Sequence, residues 1–397
     1  MKILIIHSFY RETGGEDNMV LEKIALLKAA GFDVELLGFQ NPTKFLDSIV
    51  DLFFLLFNVS SFIKTLKKIR GYRPDIIHLH NWHFAASPSV IFAAHVLKTP
   101  LVLTAHNFRL LCPSAILFNN GELFLESLKE KFPWTAIKIG VYRNSSLQTF
   151  WLAFCVFVHK KLKTWQKVSK FIVLSDFMKD IFLQSSFGIA ADKFVTKQNS
   201  IPDPIVWAKN GRGKHFAFVG RLVVEKGIEV LLKAFANTEF QLHIYGYGPL
   251  EQKVRDFAEL HPNISFKGAL PHENLFAELR KCSALIFPSI WYEGMPLTVI
   301  EGLSTGTPII ASNLGAMSTM IQNHSNGLHF EAGNPLDLAQ KLAYWSARSE
   351  EEKAQYSQRA RATYEENYTP EANLRRLLAI YSGAINEYKL KLKLTDK

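Results

Sequence analysis

The chain has 397 residues, and about 150 residues per domain predicts two or three domains. With 48% hydrophobic and 21% charged residues, it is predicted to be folded and soluble. Three widely spaced cysteines exclude a disulfide framework and a paired-cysteine metal site, so a reducing compartment is expected.

The net charge of +10 is uneven, because residues 1–205 carry 24 Lys and Arg against 16 Asp and Glu. Basic residues lie beside large apolar ones at 62–73 and 150–170, which suits an anionic membrane surface or a lipid-phosphate substrate. A solvated basic helix face beside a buried face is the open alternative. Nucleic acid is not expected as a partner, since no recognised binding motif accompanies the charge.

No targeting or membrane-spanning segment is predicted. The first apolar run continues into acidic residues without a small-residue cleavage site, so it is interpreted as a strand. The apolar run 144–158 is shorter than the roughly 20 residues that a spanning helix needs. A cytoplasmic location is expected, with peripheral attachment to the inner face of the cytoplasmic membrane as an option.

Apolar strand patterns alternate with helical patterns from the first residue onward. The predicted strands of this part are KILIIHSFY (2–10), DVELLGF (33–39), PDIIHLHN (74–81), TPLVLTAHN (99–107) and KFIVLS (170–175). Helical spacing follows at 18–31, 87–98 and 176–186. Continuous apolar strands separated by helices predict a parallel sheet covered on both faces.

Residues 198–215 interrupt this alternation with Pro, Gly, Asn and Ser and are predicted to be a linker. The alternation then restarts with five predicted strands, HFAFVGRL (215–222), FQLHIYG (240–246), ISFKG (264–268), ALIFPS (284–289) and TPIIAS (307–312). The chain from Glu350 onward is predicted to be wholly helical. The pattern predicts an α/β protein with two doubly wound halves, whose ligands bind beyond the carboxyl ends of the strands.

Two cations follow the first strand of the second half, in the segment GRLVVEKG. Arg221 and Lys226, beside a glycine and the start of a helix, would suit a diphosphate, although ordinary surface ion pairs are the alternative. The segment YGYGP (245–249) lacks the spacing of a dinucleotide loop. No Asp-x-Asp is present to hold a divalent ion on a nucleotide, and no metal is expected.

Histidines cluster after two strands of the first half. The segment HLHNWH (78–83) allows a zinc interpretation, but no acid or cysteine nearby completes a ligand set, and cleft lining is favoured. His106 could hydrogen-bond a sugar hydroxyl or could be a structural histidine. Gly14 and Gly15 would let the backbone approach a ligand, or could form a plain turn.

The segment WYEGMPLTVIEG (291–302) contains two glutamates eight positions apart around Pro296, which suits the first turn of a helix. If both were helical, their backbones would be about 12 Å apart, too far for a facing glycosidase pair. The spacing suits one ligand along the helix start, with hydroxyls at Glu293, phosphates on the amides around Met295 and Leu297, and a second polyol at Glu301.

The segments GGED, PDIIHLHN, LTAHNFRLLCP, YRNSSLQT, GRLVVEKG and EGMPLTVIEGLSTGTPII together resemble a retaining glycosyltransferase of family 4. The resemblance implies the GT-B fold, with two Rossmann-like doubly wound parallel-sheet domains facing a central cleft. It implies an acceptor-binding domain over 1–200, a nucleotide-sugar-binding domain over 201–375, and a helix over 376–397 that returns to the first domain.

The resemblance also implies the roles of individual residues and the absence of a cofactor and of a metal. Arg221 and Lys226 would hold the donor diphosphate, and Glu301 the ribose. The donor sugar and phosphate would be held by Glu293 and by the backbone of Gly294, Met295, Pro296 and Leu297. His106 would lie beside the sugar, and Gly15 would approach the phosphate.

The implied reaction transfers a sugar from a nucleotide-diphosphate sugar to a lipid-linked or saccharide acceptor, as in surface polysaccharide, lipopolysaccharide or glycolipid biosynthesis. Because no residue is an obvious covalent nucleophile, front-face attack is the implied route to retention. Relatives often have further cysteines after HNFRLLCP, and this chain has none there. A nucleotide-sugar 2-epimerase, a catalytically silent nucleotide-binding scaffold and a nicotinamide dehydrogenase are the rival interpretations.

Overall fold

A computed structural model describes residues 1–10, 15–41, 54–204 and 211–395. Gly14 and residues 205–210 of the predicted linker lie outside this set. The chain forms two compact units. The first comprises residues 1–117, 124–198 and 373–397, and the second comprises residues 118–123 and 199–372.

The first unit is built on a six-stranded parallel sheet with the order β2-β1-β3-β4-β7-β8. Strands before residue 200 are β1 (Lys2–Phe9), β2 (Asp33–Gln40), β3 (Ile76–Leu79), β4 (Leu101–Ala105), β5 (Phe118–Asn119), β6 (Glu122–Leu123), β7 (Lys170–Val173) and β8 (Phe194–Thr196). Strands β5 and β6 form a short antiparallel hairpin, which belongs to the second unit.

Helices follow the strands of the first unit in the alternation that the sequence predicts. They are α1 (Gly15–Ala29), α2 (Val59–Tyr72), α3 (Ser89–Val96), α4 (Glu126–Lys129), α5 (Trp134–Ile139), α6 (Ser146–Lys161) and α7 (Asp176–Gln184). Ser175 begins α7, because its side chain accepts a hydrogen bond from the Met178 amide.

The second unit repeats this architecture with the order β11-β10-β9-β12-β13-β14, again wholly parallel. Its strands are β9 (Phe216–Val219), β10 (Leu242–Tyr245), β11 (Ile264–Gly268), β12 (Leu285–Phe287), β13 (Ile309–Ser312) and β14 (Gly327–Phe330). Its helices are α8 (Ile228–Phe235), α9 (Glu251–Leu260), α10 (His272–Lys281), α11 (Leu297–Ser304), α12 (Met317–Met320), α13 (Pro335–Ser346) and α14 (Glu350–Asn367).

The last helix, α15 (Pro370–Thr395), contributes residues 373–395 to the first unit. Leu377, Tyr381 and Ala384 are buried in one cluster with Ile3 and Ile5 of β1. Burying large apolar side chains is the main favourable term in folding, so this helix completes the core of the first sheet.

Three details differ from the sequence predictions. Each sheet has a sixth strand, β8 (FVT) and β14 (GLHF), which the pattern missed because polar residues interrupt or flank these apolar residues. The described chain from Glu350 is helical as predicted except at Tyr368 and Thr369, which separate α14, ending at Asn367, from α15, beginning at Pro370. Proline disfavours the helical conformation of the residue before it, which accounts for the break.

Within the described ranges, no helix combines the length and the apolar character needed to cross a membrane. The helix over the apolar run that the sequence singles out, α6, ends in His159, Lys160 and Lys161.

Candidate functional site

The order of strands in the second unit reverses between β9 and β12, which are neighbours in its sheet. From β9 the chain proceeds to β10 on one side, and β12 to β14 lie on the other. In open parallel sheets such a reversal leaves a crevice at the carboxyl ends of the strands, where ligands bind. The residues after β9 and β12 are therefore the expected position of a ligand site in this unit.

The loops after these two strands are packed against each other at Gly227. This glycine has a φ of 71°, and a Cβ there would lie 1.9 Å from the Pro288 carbonyl oxygen. Only glycine permits both the left-handed backbone and this close approach. Lys226 is the last residue of a short 3-10 helix, Val224–Lys226. The contact at Gly227 therefore holds Lys226 beside the loop that contains Glu293.

Lys226 and Glu293 form a largely buried ion pair, with 2.6 Å between Nζ and Oε1 and side-chain exposures of 15% and 7%. The same Oε1 accepts hydrogen bonds from Ser289 Oγ and Trp291 Nε1, each at 2.8 Å. The Lys226 ammonium also lies 5.8 Å from the centre of the Trp291 ring. Three donors on one oxygen compensate the burial of the carboxylate and fix its orientation.

Arg221 differs from Lys226 in being exposed. Its side chain is 58% exposed, and its contact is a 3.8 Å pair with Glu225 of the following turn. An exposed pair at this distance contributes little to stability. The Arg221 guanidinium can therefore turn to an incoming anion at small cost.

The second predicted glutamate, Glu301, lies inside α11, and its residue is only 8% exposed. Pro296 is the residue immediately before α11, one position earlier than the first turn in which the sequence placed it. Met295 is also buried, and its Sδ accepts a hydrogen bond from the Asn199 amide at 3.2 Å. The structure thus places Glu293 in the loop before α11 and Glu301 on the helix, as the proline predicts.

The glycines of YGYGP have a packing role. A Cβ at Gly246 would lie 1.9 Å from the Gly220 carbonyl oxygen, and one at Gly248 would lie 2.6 Å from that of Leu222. Both glycines let this loop pack closely on the loop that contains Arg221. That contact explains them without a phosphate.

In the first unit, His106 follows β4 and is half-buried. Its Nε2 lies 2.9 Å from Nδ1 of the buried His80, whose Nε2 lies 3.3 Å from Lys23 Nζ on α1. Burial and the nearby Lys23 charge hold the pKa values of His80 and His106 well below the ordinary value, so both imidazoles are neutral. Sequence reasoning missed Lys23, whose position in a helical pattern gave no sign of burial.

The zinc interpretation of the histidine cluster does not fit the contacts. His78 Nδ1 lies 2.6 Å from Tyr381 Oη, and its Nε2 lies 2.7 Å from Thr104 Oγ1. Both ring nitrogens of His78 and of His80 therefore have protein partners. His83 is buried without a partner for either nitrogen and borders a cavity of about 20 Å³, which has room for one water molecule.

Glu16, at the start of α1, borders the same cavity as His106. Its Oε2 accepts a hydrogen bond from Tyr10 Oη at 2.9 Å. Burial raises the pKa of this carboxyl to about 7, with the neighbouring Asp17 acting in the same direction. Gly15, the predicted phosphate-approach residue, is the first residue of α1 and is exposed.

Among the described residues, one group of three potential metal ligands lies close together, namely His215, His243 and Glu278. The two imidazoles are stacked with centroids 4.1 Å apart and planes inclined by 24°. A metal ion lies in the plane of each imidazole at about 2 Å from nitrogen, and planes so nearly parallel do not meet at that distance. Glu278 also accepts a hydrogen bond from Tyr245 Oη at 2.8 Å. The group does not fit a metal centre.

Two family models match the chain along most of its length. Residues 13–202 match the model described as Glycosyltransferase Family 4, and residues 202–363 match Glycosyl transferases group 1. Together with the two six-stranded parallel sheets, these matches define the class: the chain has the GT-B fold of glycosyltransferases.

Individual relatives agree with this class. An uncharacterized glycosyltransferase of Methanocaldococcus jannaschii is 32% identical over 32% of this chain and 36% of its own length. O-antigen chain mannosyltransferase C of Escherichia coli is 26% identical over 44% of this chain and 48% of its own length. The chain thus spans less than half the length of these two relatives.

Among solved structures, that of HepE from Anabaena in complex with UDP has a TM-score of 0.67 and 16% identity. It covers 96% of this chain and 100% of its own. This likeness shows the shared fold.

Proposed function

We propose that the protein is a glycosyltransferase that moves a sugar from a nucleotide-diphosphate sugar to an acceptor hydroxyl with retention of anomeric configuration. The observation that carries the proposal is the pairing of Lys226 and Glu293, with the exposed Arg221, after the two strands where the second sheet reverses its order. The matches to two glycosyltransferase families support it. They do not favour an epimerase, a silent scaffold or a dehydrogenase.

In the proposed reaction, Arg221 and Lys226 bind the diphosphate and stabilise its charge as the bond to the anomeric carbon breaks. Lys226 needs little reorganisation for this, because Glu293 already holds its ammonium in place. Backbone N–H groups at the start of a helix favour anions, so the amides of Met295 and Leu297 would contact the phosphates, while Pro296 between them has no N–H to donate. Glu301 would accept hydrogen bonds from the ribose hydroxyls.

Glu293 is better suited to holding the donor sugar than to attacking it. Its Oε1 already accepts three hydrogen bonds, from Lys226, Ser289 and Trp291, which lowers its nucleophilicity. Front-face attack by the acceptor hydroxyl, assisted by the leaving phosphate, is therefore the proposed route to retention. Arg221 and Lys226 would donate charge-assisted hydrogen bonds to the diphosphate oxygens in place of a divalent ion, so we propose that no metal is required.

The first experiment measures the binding of UDP, GDP and ADP to the protein by thermal shift and by calorimetry. We expect one nucleotide to raise the melting temperature of the wild type, because ligand binding stabilises by mass action. Arg221→Ala and Lys226→Ala should each weaken that binding about 10-fold or more, since each removes a charge-assisted hydrogen bond. Lys253→Ala, which removes an exposed lysine paired with Glu229 in the same unit, is the matched control.

The proposal fails if the binding nucleotide is held equally well without Arg221 and Lys226 in folded variants. The sugar nucleotide of that base is then incubated with candidate acceptors, and the anomeric coupling constant of the product is measured by proton NMR. An inverted product would contradict retention. Isomerised sugar nucleotide formed without an acceptor would support the epimerase instead.

We further propose that the acceptor is a lipid-linked or polysaccharide substrate of surface polysaccharide or glycolipid biosynthesis at an anionic membrane surface. Val59 and Ile63 lie one turn apart on α2 with exposures of 54% and 44%, and the same helix contains Lys64, Lys67 and Lys68. Exposed apolar residues beside lysines suit the surface of an anionic bilayer.

Co-sedimentation with vesicles tests this membrane contact. We expect binding to phosphatidylglycerol vesicles to fall for Ile63→Asp and to be unchanged for Leu260→Asp, a change at a 77% exposed site in the second unit. Equal binding of both variants would contradict the assignment of α2 as the contact surface.

A further inference from the structure

Three side chains of the first unit form a hydrogen-bonded line that ends at His106. Lys23 Nζ lies 3.3 Å from His80 Nε2, and His80 Nδ1 lies 2.9 Å from His106 Nε2. Lys23 is 8% exposed and His80 is 2% exposed. His80 therefore has a partner at each ring nitrogen, and both partners come from other elements of the fold.

The direction of this line follows from what each group can donate. Burial, with the Lys197 charge acting in the same direction, holds the pKa of Lys23 well below its ordinary value, so its ammonium form is favoured at acidic pH. An ammonium group donates hydrogen bonds and cannot accept them, so Lys23 in that form requires an unprotonated Nε2 on His80. A neutral imidazole has one N–H and one acceptor nitrogen, so His80 then carries its proton on Nδ1. That N–H donates to His106 Nε2, which leaves the proton of His106 on Nδ1.

We propose that the Lys23 ammonium group and His80 are positioning groups that fix His106 as the tautomer with its proton on Nδ1. His106 then presents an N–H donor to its ligand, and it cannot accept a proton at Nδ1. It would hold a hydroxyl or phosphate oxygen of the substrate, and it would not act as a general base. The inference rests on the proposed function for the identity of that substrate, but the tautomer itself is a property of the ligand-free protein.

The groups around the line do not compete for its nitrogens. His78 stacks on His80 with centroids 4.1 Å apart, but it bonds to Tyr381 and Thr104. His7 is paired with Asp17 at 2.7 Å. Two further titratable neighbours have partners elsewhere: Glu16 accepts from Tyr10, and Lys197 donates to Gln198 and Asn373.

The tautomer can be read from the nitrogen resonances of the whole protein labelled with 15N-histidine, in mildly acidic buffer where Lys23 is most readily charged. The His106 signals are assigned by their loss in His106→Gln. We expect a protonated Nδ1 and an unprotonated Nε2 for His106 in the wild type. A protonated Nε2 on His106 would overturn the proposal without any variant.

Two variants then separate positioning from general packing. Lys23→Met should convert the single His106 tautomer into a mixture, because the donor that orients His80 is lost. Lys197→Met is the matched control, since it also removes a buried ammonium from the first unit but leaves the line intact. The proposal is overturned if Lys23→Met retains the wild-type tautomer, or if Lys197→Met loses it to the same extent.

The binding experiments keep the two proposals distinct. Failure of every nucleotide to bind would remove the proposed function and leave the His106 tautomer as measured. A protonated Nε2 on His106 in a protein that binds and transfers the sugar would remove only the positioning role of Lys23 and His80.

Discussion

Replacing Gly227 by alanine tests whether the loop after β9 is held by its contact with the loop after β12. The new Cβ would lie 1.9 Å from the Pro288 carbonyl oxygen, whereas real Cβ contacts are essentially never under 3.0 Å. The backbone must therefore move by roughly 1 Å at this point. The left-handed φ of 71° adds the conformational cost that any side chain incurs there.

The matched control is Gly333→Ala in the same unit. Gly333 has a φ of 80°, and nothing lies within 4 Å of its added Cβ, so this change measures the conformational cost alone. We expect it to lower the free energy of unfolding by about 1–2 kcal/mol. Gly227→Ala should lower it by at least about 3 kcal/mol, because the steric displacement is added to the same conformational cost.

Thermal and urea denaturation of the two variants measure this difference, and calorimetry with the binding nucleotide adds a functional measurement. The displaced backbone includes Lys226, so Gly227→Ala should weaken nucleotide binding about 10-fold, while Gly333→Ala should leave it unchanged. Equal destabilisation of the two variants would refute the packing argument. Unchanged nucleotide affinity of a folded Gly227→Ala protein would refute the link to Lys226.

Three further predictions concern single side chains. Glu301→Gln should weaken binding of the nucleoside diphosphate about 10-fold and leave binding of inorganic pyrophosphate unchanged in calorimetry, because its proposed partner is the ribose. Burial lowers the folded pKa of Lys197 to about 7, below its ordinary value of 10.5, so the unfolded chain binds more protons between these pH values. The free energy of unfolding of the wild type, measured in urea relative to that of Lys197→Met, should therefore rise by about 2 kcal/mol from pH 7 to pH 9. If this difference between the two proteins were the same at both pH values, the lowered pKa of Lys197 would be contradicted. Tyr381→Phe should lower the free energy of unfolding by about 1–3 kcal/mol in the same assay, because it leaves a buried nitrogen of His78 without its partner. The control is Tyr388→Phe, at a half-buried position on the same helix, which should lower it less.

The sequence pattern predicted the alternation of strands and helices because long apolar runs and helical spacing are local properties. It missed β8 and β14, where polar residues within or beside the segment leave no continuous apolar run. The break before Pro370 could have been predicted from the proline alone, since the restriction acts on the adjacent residue.

The site was predictable in its residue types but not in its pairings. Arg221, Lys226, Glu293 and Glu301 stand out in the sequence because they follow strands or flank a helix start. The ion pair of Lys226 with Glu293 joins residues 67 positions apart, and no local pattern indicates it. The burial of Lys23 beside His80 depends in the same way on which face of α1 packs against the sheet.

The division of the first unit between the two ends of the chain also has a consequence during protein synthesis. Residues 199–372 must leave the ribosome before Leu377, Tyr381 and Ala384 can close the core around β1. At about 5–20 residues per second this interval lasts roughly 9–35 s. During that time the apolar surface that later receives α15 is available to chaperones, and the second unit is completed before the first.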